Sequence, residues 1–221
     1  MTLAAAIGLY AQESPSSNNT NGQPCPGTST VTDHEGNVYN TVLIGNQCWT
    51  KENLRTTTSP STGTYLVNNA IEEYTYVGKM AKWYNNDSVT AIATNYGLLY
   101  NWNATVDTFN IAFSETAVYI EWDGTYSVEF PTGHRQGICP TGWHVPTDAE
   151  WTQLTDYISS QNGNICGSDA SYTAKALAST TGWQISANDC AVGNDLNSNN
   201  AAGFSAVPAG WFGGGYFDEI S

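Results

Sequence analysis

Apolar residues in this chain cluster over short spans, and one stretch carries a helical period. The residues Thr147-Asp-Ala-Glu-Trp-Thr-Gln-Leu open with capping-box spacing. The Thr147 hydroxyl can accept from the Glu150 backbone N–H, and the Glu150 carboxylate can reach back to the Thr147 N–H. Pro146 precedes the cap and Trp151 stands at the staple position, while Asp148 puts negative charge in the first turn, where the helix dipole favours it. Trp151, Leu154 and Ile158 then recur at i, i+3 and i+7, which predicts a helix of about three turns with one apolar face, ending near Ser160. The stretch before it, from Gly137, is an aromatic-rich entry through Trp143 and Val145.

Elsewhere the pattern is that of strands and turns. Residues 38–44 follow the turn 33–37, and residues 47–49 follow Gly45-Asn46, so the two runs read as a hairpin, with Gly36 at positive φ in the preceding turn. Residues 51–55 are read as continuing outward from that hairpin, and residues 56–63 as a polar loop. Residues 96–102 form a compact apolar block, which periodicity leaves as either a buried strand or a single helical turn. Residues 103–133 read as an insertion, in which Asp123-Gly124 joins two aromatic runs as a hairpin. Residues 172–179 predict a second short helix stopped by Gly182, and residues 203–211 a buried strand and turn. The fold class expected is α+β: twisted antiparallel strands with two short helices.

Composition narrows the function classes. A net charge of −14 with only six basic residues, scattered along the chain, argues against nucleic-acid binding and against docking on anionic lipid. Residues 3–11 are an apolar run ending in Ala11, far short of the roughly 20 residues that span a bilayer. They resemble the core of a secretory signal cleaved after Ala11, although the basic n-region is missing. Gln12 rather than cysteine follows, so no lipid attachment is expected. The organisation read from the chain is a signal-like segment at 1–11, a flexible Ser/Asn/Gly/Pro linker at 12–26, and one domain at 27–221.

Five cysteines bear on compartment and chemistry. Cys25 and Cys48 bracket the first hairpin, and Cys166 and Cys190 bracket the second helix. Paired that way, each would close a loop of roughly two dozen residues, worth about 3 kcal/mol on the chain-entropy view. Metal ligation is the alternative, but no Cys-x-x-Cys or Cys/His spacing is present. Disulfides are the expected use in an exported, charge-poor chain. Cys139, between Ile138 and Pro140, is left over and reads as an inert buried thiol. A Cys139–His144 nucleophile with Asp148 or Glu150 is conceivable, but both acids already have work at the helix start, so a structural role is expected for all four. Asp33-x-Glu35-Gly36-Asn37 departs from a calcium loop in its glycine offset and lacks the closing Glu. The Asn-rich loop with Asp189, Asn194 and Asp195 is a somewhat better calcium candidate; no other cofactor is expected. Tyr119, Trp122 and Tyr126 in the insertion, and Trp211 and Tyr216 near the end, are the aromatics expected to face a ligand, since aromatic faces suit sugar rings.

Several segments together resemble one family. They are Asp33-x-x-Gly-Asn-x-Tyr39, Thr41-Val-x-Ile-Gly-Asn-Gln-Cys-Trp49, Glu52-Asn-Leu-Arg-Thr56, Tyr96-Gly-x-Leu-Tyr-Asn-Trp102, Gly137-Ile-Cys-Pro-x-Gly-Trp-His-Val-Pro-Thr-Asp-Ala-Glu-Trp151 and Gly203-Phe-Ser-Ala-x-Pro-Ala-Gly210. In this order they resemble the Fibrobacter succinogenes major paralogous domain. The resemblance implies exported bacterial surface or secreted proteins with paired cysteines, and a fold distantly similar to C-type lectins and formylglycine-generating enzymes. It implies no activity. The family's final Trp-rich strand pair is not seen before Ser221, so the domain is expected to be C-terminally incomplete. The function expected is a recognition module of adhesin type for a glycan or surface protein, outside the cytoplasm and without catalysis. A structural cell-surface subunit with no ligand of its own is the alternative, and an enzyme of unknown type the third.

Overall fold

The computed structural model describes residues 4–5, 9–10, 22–69, 78–107, 134–161, 166–167, 173–213 and 215–218. In chain order the elements are β1 (Ala4–Ala5), β2 (Leu9–Tyr10), β3 (Thr30–Thr32), β4 (Val38–Ile44), β5 (Gln47–Thr50), β6 (Ala81–Trp83), α1 (Ser88–Ala93), β7 (Leu98–Tyr100), α2 (Trp102–Thr105), α3 (Asp148–Ser160), α4 (Ala174–Leu177), β8 (Trp211–Gly213) and β9 (Tyr216–Asp218). All named strand pairs are antiparallel, in the sheet orders β2-β5-β4-β3, β1-β7-β6 and β8-β9. The protein is thus mixed α/β with small sheets, four short helices among the described residues, and two disulfides. β1 and β2 fall within the span expected to act as a leader, and each takes the edge of its sheet.

The β4–β5 hairpin is the centre of the fold because both of its faces are covered. Side chains alternate along a strand, so Tyr39, Leu43 and Cys48 enter one core with Leu54, Leu98 and Trp143, while Val42, Ile44 and Trp49 enter a second with Leu154, Ile158 and Phe204. A strand buried on both faces needs an unbroken apolar run rather than alternation, and the sequence Val42-Leu-Ile44 supplies one. Gly45 makes the turn at φ 62°. The Cys25–Cys48 disulfide ties the segment before β3 to β5. That segment, whose first residues were read as the end of a linker, is also bonded to β4: Gly22 N–H donates to Leu43 O, and Leu43 N–H to Gln23 O.

Two expectations are corrected. Residues 51–55 do not run outward: Asn53 and Leu54 are buried, because Leu98 N–H donates to Leu54 O and draws β7 against them. Gly97 permits that approach. It sits at φ +66°, and a Cβ there would lie 2.5 Å from Leu54 O. The helix count was also too low. Asp87 caps α1 through bonds to the Val89 and Thr90 N–H groups, and this helix is not among the two expected. Residues 96–102 turn out to hold a strand, β7, running into the cap of α2, where Asn101 accepts from Ala104 N–H. The predicted second helix is confined to four residues, α4, because Ala178 leaves helical geometry to bridge Ala206.

The turn before β4 is organised by Asp33. Its Oδ1 accepts from the Glu35 and Asn37 backbone N–H groups, and its Oδ2 from the Asn37 amide and the Tyr39 and Thr56 hydroxyls. Gly36 lies at φ +86°, as the turn reading requires. Burial pushes the Asp33 carboxyl up, but the hydrogen bonds from Thr56, Asn37 and Tyr39 outweigh it and hold it below the ordinary carboxylate value. A folded value below the unfolded one stabilises the fold above the unfolded value of about 3.9, and that stability is lost as pH falls through the folded value. The stability difference between the wild-type chain and Asp33→Asn is therefore expected to be constant above about pH 5 and to shrink below about pH 4. Urea midpoints across that range would show it, and a difference unchanged down to about pH 3 would remove Asp33 from this role.

Candidate functional site

Two places on the structure gather side chains that sequence separation had kept apart. The first is an open cleft of about 640 Å³ where the segment after β5, the end of α1 and the loops around α4 meet. Lys51, Asn95, Tyr96, Thr180, Asn200 and Pro208 are among its lining. Asn200 is committed, bonding the Ser205 N–H and hydroxyl, and Glu52 is held by Asn40. By contrast, among the described residues the Lys51 ammonium, the Asn95 amide, the Tyr96 hydroxyl and the Thr180 hydroxyl engage no protein partner. The cleft thus offers donors and acceptors still available to a ligand, beside the flank of an aromatic ring.

The second lies where the start of α3 meets the chain entering it. Thr147 caps the helix by accepting from Glu150 N–H, and Glu150 Oε2 accepts from the Thr147 N–H and hydroxyl. The predicted box is present in full. It occupies only one carboxylate oxygen: Oε1 turns the other way and lies 2.9 Å from His144 Nε2 and 3.9 Å from His134 Nδ1. The two imidazoles face each other, with Nδ1 atoms 3.2 Å apart and ring centroids 3.9 Å apart. Backbone bonds hold this arrangement. Val145 N–H donates to Arg135 O, which sets the residues preceding them, His134 and His144, side by side, and Gln47 Nε2 donates to Glu150 O and fixes the helix start to β5. Gly137, at φ +56°, allows the entering chain to pass Thr105 O, which a Cβ would meet at 2.1 Å. His144 and Glu150 are largely buried, whereas the His134 side chain is 54 % exposed. Burial raises the Glu150 carboxyl, but the bonds from Thr147 and His144 prevail and hold it below its ordinary value.

Among the described residues, this is the one group of three or more His, Cys, Asp or Glu side chains placed to hold a metal ion. Sequence reading set His144 and Glu150 aside as structural and did not consider His134. The signal that could have found the trio is the His-x9-His-x5-Glu spacing, which becomes meaningful only once Glu150 is known to have a spare oxygen.

The other predicted positions are distributed as follows. Cys25–Cys48 and Cys166–Cys190 are both bonded as expected. Cys139 is free and buried, and burial pushes its thiol up to about 12, so it is a poor nucleophile at neutral pH. In the Asn-rich loop, Asp189 and Asp195 are exposed and Asn194 donates to Ser186 O. The carbonyls of Ala191, Asn194 and Asp195 in that loop accept from the buried Lys175 ammonium. Trp211 and Tyr216 pair across the β8–β9 hairpin with centroids 5.9 Å apart, Tyr216 well exposed. Tyr119, Trp122 and Tyr126 lie outside the described residues.

Neither curated proteins nor solved structures give a significant match to the chain. The sequence model of the Fibrobacter succinogenes major domain matches residues 42–219, from the β4–β5 hairpin through α3 and the cleft segments to the end of the β8–β9 hairpin. The chain therefore belongs to the Fibrobacter succinogenes major domain family.

Proposed function

We propose that this protein is an exported bacterial recognition module of adhesin type, lectin-like in organisation, that takes a glycan in the cleft beside α1 and α4. The observation that carries this reading is the set of polar groups in the cleft, from Lys51, Asn95, Tyr96 and Thr180, that engage no protein partner among the described residues. Sugars are recognised by such groups, which match ring hydroxyls, next to an aromatic face that covers apolar ring carbons. The two disulfides support an oxidising compartment. No helix of the described residues is long and apolar enough to cross a membrane. The acidic balance favours neutral or basic partners over nucleic acid.

A glycan array probed with and without calcium tests the reading. A hit is expected, and isothermal titration of that glycan should show Lys51→Met and Thr180→Ala each weakening binding by roughly tenfold, or about 1.4 kcal/mol. Lys51 is partly exposed and Thr180 exposed, so the melting temperature should hardly move. No hit, together with assembly of the protein into filaments, would replace this reading with that of a structural surface subunit. A hit that neither substitution weakens would place the glycan elsewhere.

A further inference from the structure

We propose that His134, His144 and Glu150 form a binding site for a divalent transition-metal ion of the zinc class, separate from the cleft. One nitrogen of each imidazole and one Glu150 oxygen all lie within 4.8 Å of one another. Around a tetrahedral zinc ion with bonds of about 2.0–2.1 Å, ligand atoms sit roughly 3.3–3.4 Å from each other. The 3.2 Å between the two Nδ1 atoms is close to that edge, the 3.9 Å from His134 Nδ1 to Glu150 Oε1 closes to it by rotation of the exposed His134 ring, and a turn of the His144 ring brings the nitrogen it gives the ion to the same distance from Oε1.

The site is held by parts that do other work. Glu150 Oε2 is kept by the capping box, which fixes the carboxylate plane and presents Oε1 to the rings. Without an ion, His144 offers Nε2 to that oxygen at 2.9 Å and Nδ1 to His134 at 3.2 Å, so it borders both prospective co-ligands. Two imidazoles and one carboxylate select a borderline ion such as zinc over calcium or magnesium, which take all-oxygen shells. The positive end of α3 opposes a cation here. Asp148 and Glu150, both in its first turn, offset that field. With three protein ligands, one of them on an exposed residue, a fourth position is open to water or to an oxygen donor from outside.

Titration of zinc chloride into the tag-free, chelator-treated chain, followed calorimetrically, tests the proposal. One ion per chain is expected, with a rise in melting temperature on binding. His134→Ala removes an exposed ligand, and Glu150→Gln keeps a residue competent for the capping box at that position while removing the charge. Each should weaken zinc roughly tenfold or more while the metal-free melting temperature of His134→Ala stays at the wild-type value. Cobalt in place of zinc should give the visible absorption of a four-coordinate site in the wild-type chain and lose it in His134→Ala. Absence of saturable zinc binding, or binding that His134→Ala leaves unchanged, overturns the proposal.

Discussion

Asp107→Ala is expected to destabilise the folded chain by about 3–5 kcal/mol. Its carboxylate lies 2.8 Å from Lys79 Nζ, and the two side chains are only 6 % and 4 % exposed. The Ser59 hydroxyl and the Ser61 N–H also donate to Asp107, and Lys79 donates to the Ser59 and Ser61 hydroxyls. Burial raises the Asp107 carboxyl, but Lys79 and the two serines outweigh it, so it is charged at neutral pH. Removing it takes away the carboxylate paired with a buried ammonium, and that loss carries most of the cost. Asp107 lies at φ 51°, where alanine adds strain of its own. Asp107→Asn tolerates that backbone and isolates the charge, so it should retain most of the loss. Urea unfolding of both variants, with m unchanged, reads the effect. A loss under about 1 kcal/mol for both would mean that water screens the pair as at a surface.

Trp49→Ala is expected to cost about 3–5 kcal/mol as well, through a different mechanism. Trp49 is fully buried and sits between the hairpin and α3, its ring 4.7 Å from Trp151 and 5.7 Å from Phe204. Alanine would empty the middle of the second core, and neither the helix nor the sheet can move in without breaking bonds to the first. The indole N–H has no partner among the described residues. Its removal returns part of the loss, so Trp49→Phe should be markedly milder than Trp49→Ala. Equal losses for the two would show that the cavity is not what matters. Denaturant midpoints measure the cost, and near-ultraviolet circular dichroism should report loosening of the Trp49–Trp151–Phe204 group.

The elements that could be read in advance share a cause. The capping box joins residues three apart, the turns at Gly36 and Gly45 span a few residues, and the β4–β5 hairpin closes over two, so each is decided by chemistry within its own segment. The family assignment rests on the same runs. Disulfide pairing was accessible because each bridge brackets a compact unit. What escaped is long-range. Lys79, Lys82 and Lys175, which the sequence shows only as basic residues scattered along the chain, are buried. Each gains a partner from a distant segment: Asp107 for Lys79, the Phe212 ring for Lys82, and the carbonyls of the Asn-rich loop for Lys175. Leu54 was expected to lead outward, and only the approach of Gly97 shows why it turns in.

The stretch around α3 shows both sides of that division. From sequence alone came the helix, its start and end, its apolar face, and the assignment of Glu150 to the cap, all through contacts within about two turns. Only tertiary structure decided that the cap uses one Glu150 oxygen and that the chain before Gly137 folds back through the Arg135–Val145 bond. That bond brings His134 against His144 and the second oxygen. The cleft follows the same rule, since its lining comes from residues 51–52, 93–96, 179–182 and 200–208. Local hydrogen bonds and side-chain period are written in neighbouring residues. Which distant segments meet depends on packing two cores against one hairpin, and no short window of the chain contains that information.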